Sequence, residues 1–138
     1  MFLVCIFFSI SSTGSSKIPD SLQGETVVKT VSISSTSWDG SLLPAYLEGQ
    51  PEITILNIKI PPGTKLPEHK HPVINAGYLI RGSLTVVKED GKILHMKAGD
   101  SIVELVNQWH YGKNEGTDTA EIVVFYAGKV GTPITIKK

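Results

Sequence analysis

From residue 26 onward the chain is a succession of short segments in which β-branched and apolar residues alternate with polar ones, cut by glycine, proline and Asp-Gly. The segments are TVVKTVSI (26–33), ITILNIKI (53–60), YLIRGSLTVVKED (78–90), KILHMKAGD (92–100), SIVELV (101–106), AEIVVFYAG (120–128) and ITIKK (134–138). An alternating run presents one face to a core and one to solvent, as a half-buried strand does. Pro61-Pro62-Gly63 ends one such run, and Asp90-Gly91 is a two-residue hairpin signal between two others. No window has a helical period, so the fold class is all-β. Short strands with turns at this spacing make a sandwich or a barrel, and a barrel of this size encloses one small-molecule pocket.

The 138 residues suffice for a single domain, and 13 basic against 13 acidic residues give no bulk charge for holding nucleic acid or a membrane surface. A single cysteine, Cys5, excludes an internal disulfide framework. The opening MFLVCIFFSI is too short to span a bilayer as a helix, which takes roughly 20 residues. Followed by SSTGSS, it reads as a secretory signal peptide over residues 1–16, although no basic residue precedes it; a buried N-terminal strand or a mis-assigned start is the alternative. The expected organisation is then an N-terminal arm over 17–35 and one domain over 36–138. The mature protein is expected to be periplasmic or secreted, with no membrane attachment.

The chemistry-bearing residues cluster in PEHKHPVINAGYLIRG (67–82). In a strand, residues two apart face the same side, so His69 and His71 project together, while Glu68 and Lys70 face away. Pro72 favours the extended conformation at His71. Two imidazoles make a weak metal site, and His110 in VNQWHYGKN is the available third ligand. His95 alternates with Lys97 and reads as solvent-facing. No glycine-flanked serine and no phosphate-cradling glycine loop support other catalytic readings.

In these residues the sequence resembles the cupins. Gly63, His69, His71, Asn75 and Gly82 fall at every spacing of the first cupin motif, G-x5-H-x-H-x3-E-x6-G, with Asn75 in the glutamate position. Gly99, His110 and Asn114 match the second motif, G-x5-P-x-G-x2-H-x3-N, with Leu105 and Asn107 replacing its proline and glycine. The resemblance implies a double-stranded β-helix, or jelly-roll barrel, and a homodimer. It also implies a divalent transition metal (Fe, Mn, Ni or Zn) on His69, His71 and His110. Asn75 offers only a neutral carbonyl oxygen as a fourth ligand. Glu104, a carboxylate in an apolar segment, is costly to bury unless it has a role; it is the candidate replacement ligand or general base if it points inward. Tyr46, Tyr78, Arg81 and Trp109 are candidates for lining the pocket. The expected function is that of a secreted metalloenzyme acting on a small oxygen-rich or carboxylate compound by dioxygenase, isomerase or lyase chemistry. A non-catalytic module binding a small molecule or metal is the alternative.

Overall fold

The computed structural model describes residues 24–138; the expected signal peptide lies outside them. Nine strands run in chain order: β1 (Pro51–Ile60), β2 (His69–Lys70), β3 (Ile74–Arg81), β4 (Ser83–Lys88), β5 (Ile93–Lys97), β6 (Ser101–Val103), β7 (His110–Lys113), β8 (Ala120–Lys129) and β9 (Ile136–Lys137). They form two antiparallel sheets, in the orders β1-β8-β3-β6 and β5-β4-β7-β2-β9. The two sheets face each other as a jelly-roll barrel, and no helix occurs among the described residues.

Strand alternation builds the lumen. Ile60 from β1, Leu79 from β3, Leu84 and Val86 from β4 and Ile122 and Val124 from β8 are all buried in one cluster. Gly77 keeps β3 close to this cluster, because a side chain there would meet Ile122 at 3.0 Å and Ile102 at 3.3 Å. Burying six such side chains contributes on the order of 10 kcal/mol of transfer free energy before entropy is counted.

The turns follow their residue chemistry. The β4–β5 hairpin forms where Asp90-Gly91 predicts it. Its turn is closed by the Gly91 amide donating to the Lys88 carbonyl at 2.8 Å, with Gly91 at φ 88°. The loop is therefore longer than the two-residue form. Asn107, in the glycine position of the second motif, has φ 56° and is the sole non-glycine residue with positive φ among the described residues. Asparagine is one of the few residues that tolerates this region, so the substitution preserves the turn.

Two strand expectations are corrected. Residues 26–33 form no strand: they are exposed and pair with no strand among the described residues. In SIVELV the strand stops at Val103, because the chain leaves the ladder to carry Glu104 and the buried Leu105.

An ion-paired corner closes one side of the barrel. Asp39 accepts hydrogen bonds from Lys88 Nζ at 2.8 Å and from the Ser41 hydroxyl and amide at 2.6 and 2.9 Å. Burial alone would raise the Asp39 carboxyl, but these donors outweigh it and hold the group well below the usual carboxylate range. A depressed folded-state value stabilises the protein above the unfolded value of ~3.9 and loses that contribution as pH falls further. Asp39→Asn is therefore expected to destabilise the protein at pH 7. The gap to wild type should close between about pH 5 and pH 2 in urea titrations; a gap that stays constant would refute the assignment.

Gly82 joins β3 to β4 at φ 76°, and a Cβ there would lie 2.8 Å from the Thr119 carbonyl oxygen and 2.9 Å from Ala120 Cα. Backbone cannot yield as a flexible side chain can. Gly82→Ala should cost at least ~2 kcal/mol, against ~1 kcal/mol for Gly91→Ala, which has the same handedness but open space around it. Equal losses in denaturant titrations would show that the contact with residues 119 and 120 is not what requires glycine.

Candidate metal centre

Strand register brings the three histidines together. His69 on β2 is the direct cross-strand partner of His110 on β7, so their side chains leave the sheet on the same face. His71 follows two residues after His69, where a parallel bridge to Val106 and the Asn107 amide, donating to its carbonyl at 2.7 Å, fix its backbone. The ring centroids are 4.9 Å apart for His69–His71, 4.6 Å for His69–His110 and 5.1 Å for His71–His110. One ring nitrogen from each lies within 4.8 Å of the others, a group that could hold a metal ion.

Each ring has its second nitrogen tied to the backbone. Nδ1 of His69 lies 2.7 Å from the Pro67 carbonyl, Nδ1 of His110 lies 2.9 Å from the Gln108 carbonyl, and Nδ1 of His71 lies 2.8 Å from the Ile134 carbonyl. A carbonyl oxygen can only accept, so in all three rings Nδ1 carries the proton and donates. Nε2 is left as a lone pair. Burial drives all three imidazoles below their ordinary value, that of His71 to about 4, with the carbonyl partners offsetting only part of the effect. They are neutral at neutral pH, the form that binds metals.

The donor set fits a metal on a further count. His110 Nε2 and Asn75 Oδ1 are buried without any hydrogen-bond partner, an expensive state unless something else satisfies them. Asn75 is 1% exposed, and its Nδ2 reaches the Val73 carbonyl at a long 3.4 Å.

Glu104 points inward. Its amide donates to the Asn75 carbonyl at 3.0 Å, which sets the two residues side by side on neighbouring chain segments. Its Oε2 sits 3.6 Å from His110 Nε2 and accepts from the Leu105 amide at 3.2 Å. Burial raises the carboxyl to about 7, with the Leu105 amide working in the opposite direction. Glu104 is not part of the mutually close donor group, which comprises the three histidines.

These side chains line one end of a cavity of about 60 Å³ whose remaining wall is apolar, including Ile58, Ile60, Leu84, Val86 and Val124. Tyr126 completes the polar end, its ring centroid 5.4 Å from that of His71. Burial, and after it the Glu104 carboxyl, raises the Tyr126 phenol to about 12. Sequence reasoning missed Tyr126, although its parity with Ile122 and Val124 in AEIVVFYAG places it on the inward face. The 134–138 segment is among the alternating runs, but its part in the site, fixing His71 and pairing with β2, went unread.

The four other pocket candidates lie outside this cavity. Tyr78 is three residues from the inward Asn75, so alternation turns it out. Arg81 follows an irregularity after Leu79 and meets Glu121 at 3.4 Å on the surface. Tyr46 is 78% exposed on a loop. Trp109 turns away from His110 and lies beneath the Lys70 and Lys138 ammonium groups, at 4.9 and 5.7 Å.

A family model for the Cupin domain matches residues 56–126, half of the chain. No curated protein matches the sequence. Among solved structures, an oxalate decarboxylase from Lactobacillus farciminis, in complex with formate, is 22% identical with a TM-score of 0.54, over 62% of this chain and 26% of that one. A DMSP lyase from Ruegeria pomeroyi is 16% identical with a TM-score of 0.55, over 62% of this chain and 43% of the other. A polyketide cyclase from Streptomyces resistomycificus is 16% identical with a TM-score of 0.54, over 65% and 62%. This chain thus spans about a quarter of the decarboxylase and less than half of the lyase. At these identities the likeness is one of fold. The family match over 56–126, on a barrel of this architecture, makes the chain a member of the cupin family.

Proposed function

We propose that this protein is a metal-dependent cupin that acts on a small carboxylate or similarly oxygen-rich compound. The observation that carries the reading is the set of three neutral imidazoles, each with Nδ1–H spent on a backbone carbonyl and Nε2 turned to a common point. Fe, Ni and Zn suit imidazole ligands, and an oxygen donor such as Asn75 Oδ1 suits Mn. His69, His71 and His110 would hold the ion, with Asn75 Oδ1 as a weak additional donor. When bound, such an ion supplies Lewis-acid polarisation of an oxygen ligand and, for a redox metal, electron transfer.

The chain's own residues do the rest. Neutral histidines and a neutral amide leave a divalent site with its full positive charge, which favours an anionic oxygen ligand. The cavity admits a compound of only a few non-hydrogen atoms, and its aliphatic wall limits the water that can enter with it. Glu104 Oε2 is placed to take a proton from a bound ligand and return it. Its raised value holds it near the balance point for transfer at neutral pH, and a neighbouring cation favours its ionised form. Tyr126 stays protonated and can donate to a ligand oxygen. The low identities to the decarboxylase and lyase leave the choice among oxidation, isomerisation and lyase chemistry to assay; their printed activities support only the general class.

Titration with Co²⁺ or Zn²⁺ is expected to show one site per chain and to raise the thermal midpoint. His69→Ala should weaken binding more than about 100-fold, as removal of a direct ligand must exceed the effect of losing a supporting contact. A protein that takes up none of Fe, Mn, Ni or Zn would overturn the reading. A screen of short carboxylates and hydroxy acids with metal-loaded protein should reveal turnover. Glu104→Gln should then lower kcat by roughly 10²–10⁴ while metal affinity stays within a few-fold. Ligand binding without turnover of any compound would instead favour a non-catalytic module.

A further inference from the structure

The space around the histidines continues beyond the inner cavity. A second cavity, of about 180 Å³, adjoins it and shares Ile58, Leu66, His69, His71 and Tyr126 with it. Its outer part lies between β1 and β9, the edge strands of the two sheets, with Leu56 on one side and Thr135 and Lys137 on the other. Burial falls off in the same direction. His71 and His110 are buried, His69 is half-buried, and Pro67 and Lys137 are exposed. The route from solvent to the three histidines therefore passes His69. A compound too long for the inner cavity can extend outward along it.

Strand register aims one cation into this passage. His69 pairs with His110 on one side and with Lys137 on the other, so the three form one row across β7, β2 and β9. Directly opposed residues on antiparallel strands project to the same face, with Cβ atoms about 5 Å apart. Lys137 thus stands on the histidine side of its sheet, one strand further out. Its charge reaches the ring: burial is the chief cause that lowers His69, and the Lys137 ammonium adds to it. Lys138, the next residue, has the opposite parity and is spent on the outer face, where its Nζ meets Glu68 at 3.0 Å and Glu89 at 2.8 Å. Among the described residues Lys137 enters no ion pair. No carboxylate lines the outer cavity either.

We infer that Lys137 is a second anchor for the ligand. On the proposed reading of an ion at the three histidines, that ligand is a short dicarboxylate, with one carboxylate on the ion and the other on the Lys137 ammonium. The passage then has a cationic pole at each end and an aliphatic wall between them, from Leu56, Ile58 and Leu66. A molecule that complements it is anionic at both ends and apolar in the middle. Strands lie ~4.8 Å apart, so the two poles are separated by roughly one to two strand spacings, a gap that a few methylene groups cross. A monocarboxylate of the same length would reach the ion and leave the ammonium to water.

Calorimetric titration of the zinc-loaded full chain with matched pairs tests this: succinate against butyrate, and glutarate against valerate. The better dicarboxylate is expected to bind at least about five-fold more tightly than its partner, a preference that shrinks as salt is added. Lys137→Met should abolish the preference while zinc and monocarboxylate affinities stay within about two-fold. Lys138→Met removes the same charge from the outer face and should leave the preference intact. A chain that takes up no zinc or other divalent metal sinks the metal reading, and the anchor with it. Zinc-loaded protein that binds both members of each pair alike, or neither, overturns the anchor alone. So does a preference that survives Lys137→Met or that falls equally with Lys138→Met.

Discussion

Three backbone carbonyls decide what the site can be. Pro67, Gln108 and Ile134 each hold the Nδ1 proton of one histidine, which sets the tautomer and the ring orientation together. Each such bond is worth only ~1 kcal/mol of stability, yet without them the lone pairs need not converge. Two of the three are local, from the residue two positions earlier, and come with the strands that carry His69 and His110. The third comes from 63 residues away. His71 is therefore correctly aimed only when the C-terminal segment has docked and β9 has paired with β2. Completion of the site and closure of this side of the barrel are one event.

One physical cause, burial in an aliphatic lumen, acts on both kinds of titratable group there. It lowers the imidazoles and raises Glu104 and Tyr126. Each shift favours the neutral form, so near neutral pH the cavity carries little net charge of its own. It nevertheless holds several lone pairs, of which Asn75 Oδ1 and His110 Nε2 have no partner. A lumen that is uncharged, rich in acceptors and short of donors is matched to a cation, and in the proposed reading the cation then draws in the anionic ligand.

Much of this was legible in the sequence, for reasons that are local. The His-x-His pair needs only strand alternation to converge, and His110 needs only a two-motif spacing. The Asp90-Gly91 turn and the position of Gly82 follow from φ preferences. What escaped depends on neighbours distant in the chain. Residues 26–33 have strand composition but no neighbouring strand among the described residues, and composition cannot supply one. Tyr78 and Arg81 are pocket candidates only by their nearness to Asn75, and strand parity and the irregularity after Leu79 turn them out. Glu104 could not be assigned from SIVELV because both faces of that segment are apolar; its direction comes from the strand ending at Val103 and from the amide bond to Asn75.

The pairing of Asn75 with Glu104 divides between two residues what a ligating glutamate would have to combine. At position 75, in the glutamate place of the first motif, a carboxylate would spend part of its charge and lone pairs on the ion. Asparagine, one methylene shorter than glutamate, keeps a carbonyl oxygen there but removes the charge. The carboxylate instead enters one segment over, joined to Asn75 by a 3.0 Å backbone hydrogen bond and 3.6 Å from His110 Nε2. That position is near enough to feel a bound ion and lies outside the group of mutually close donors. The protein thus retains an acid–base group beside the centre, and in the proposed reading no ligating carboxylate neutralises the ion.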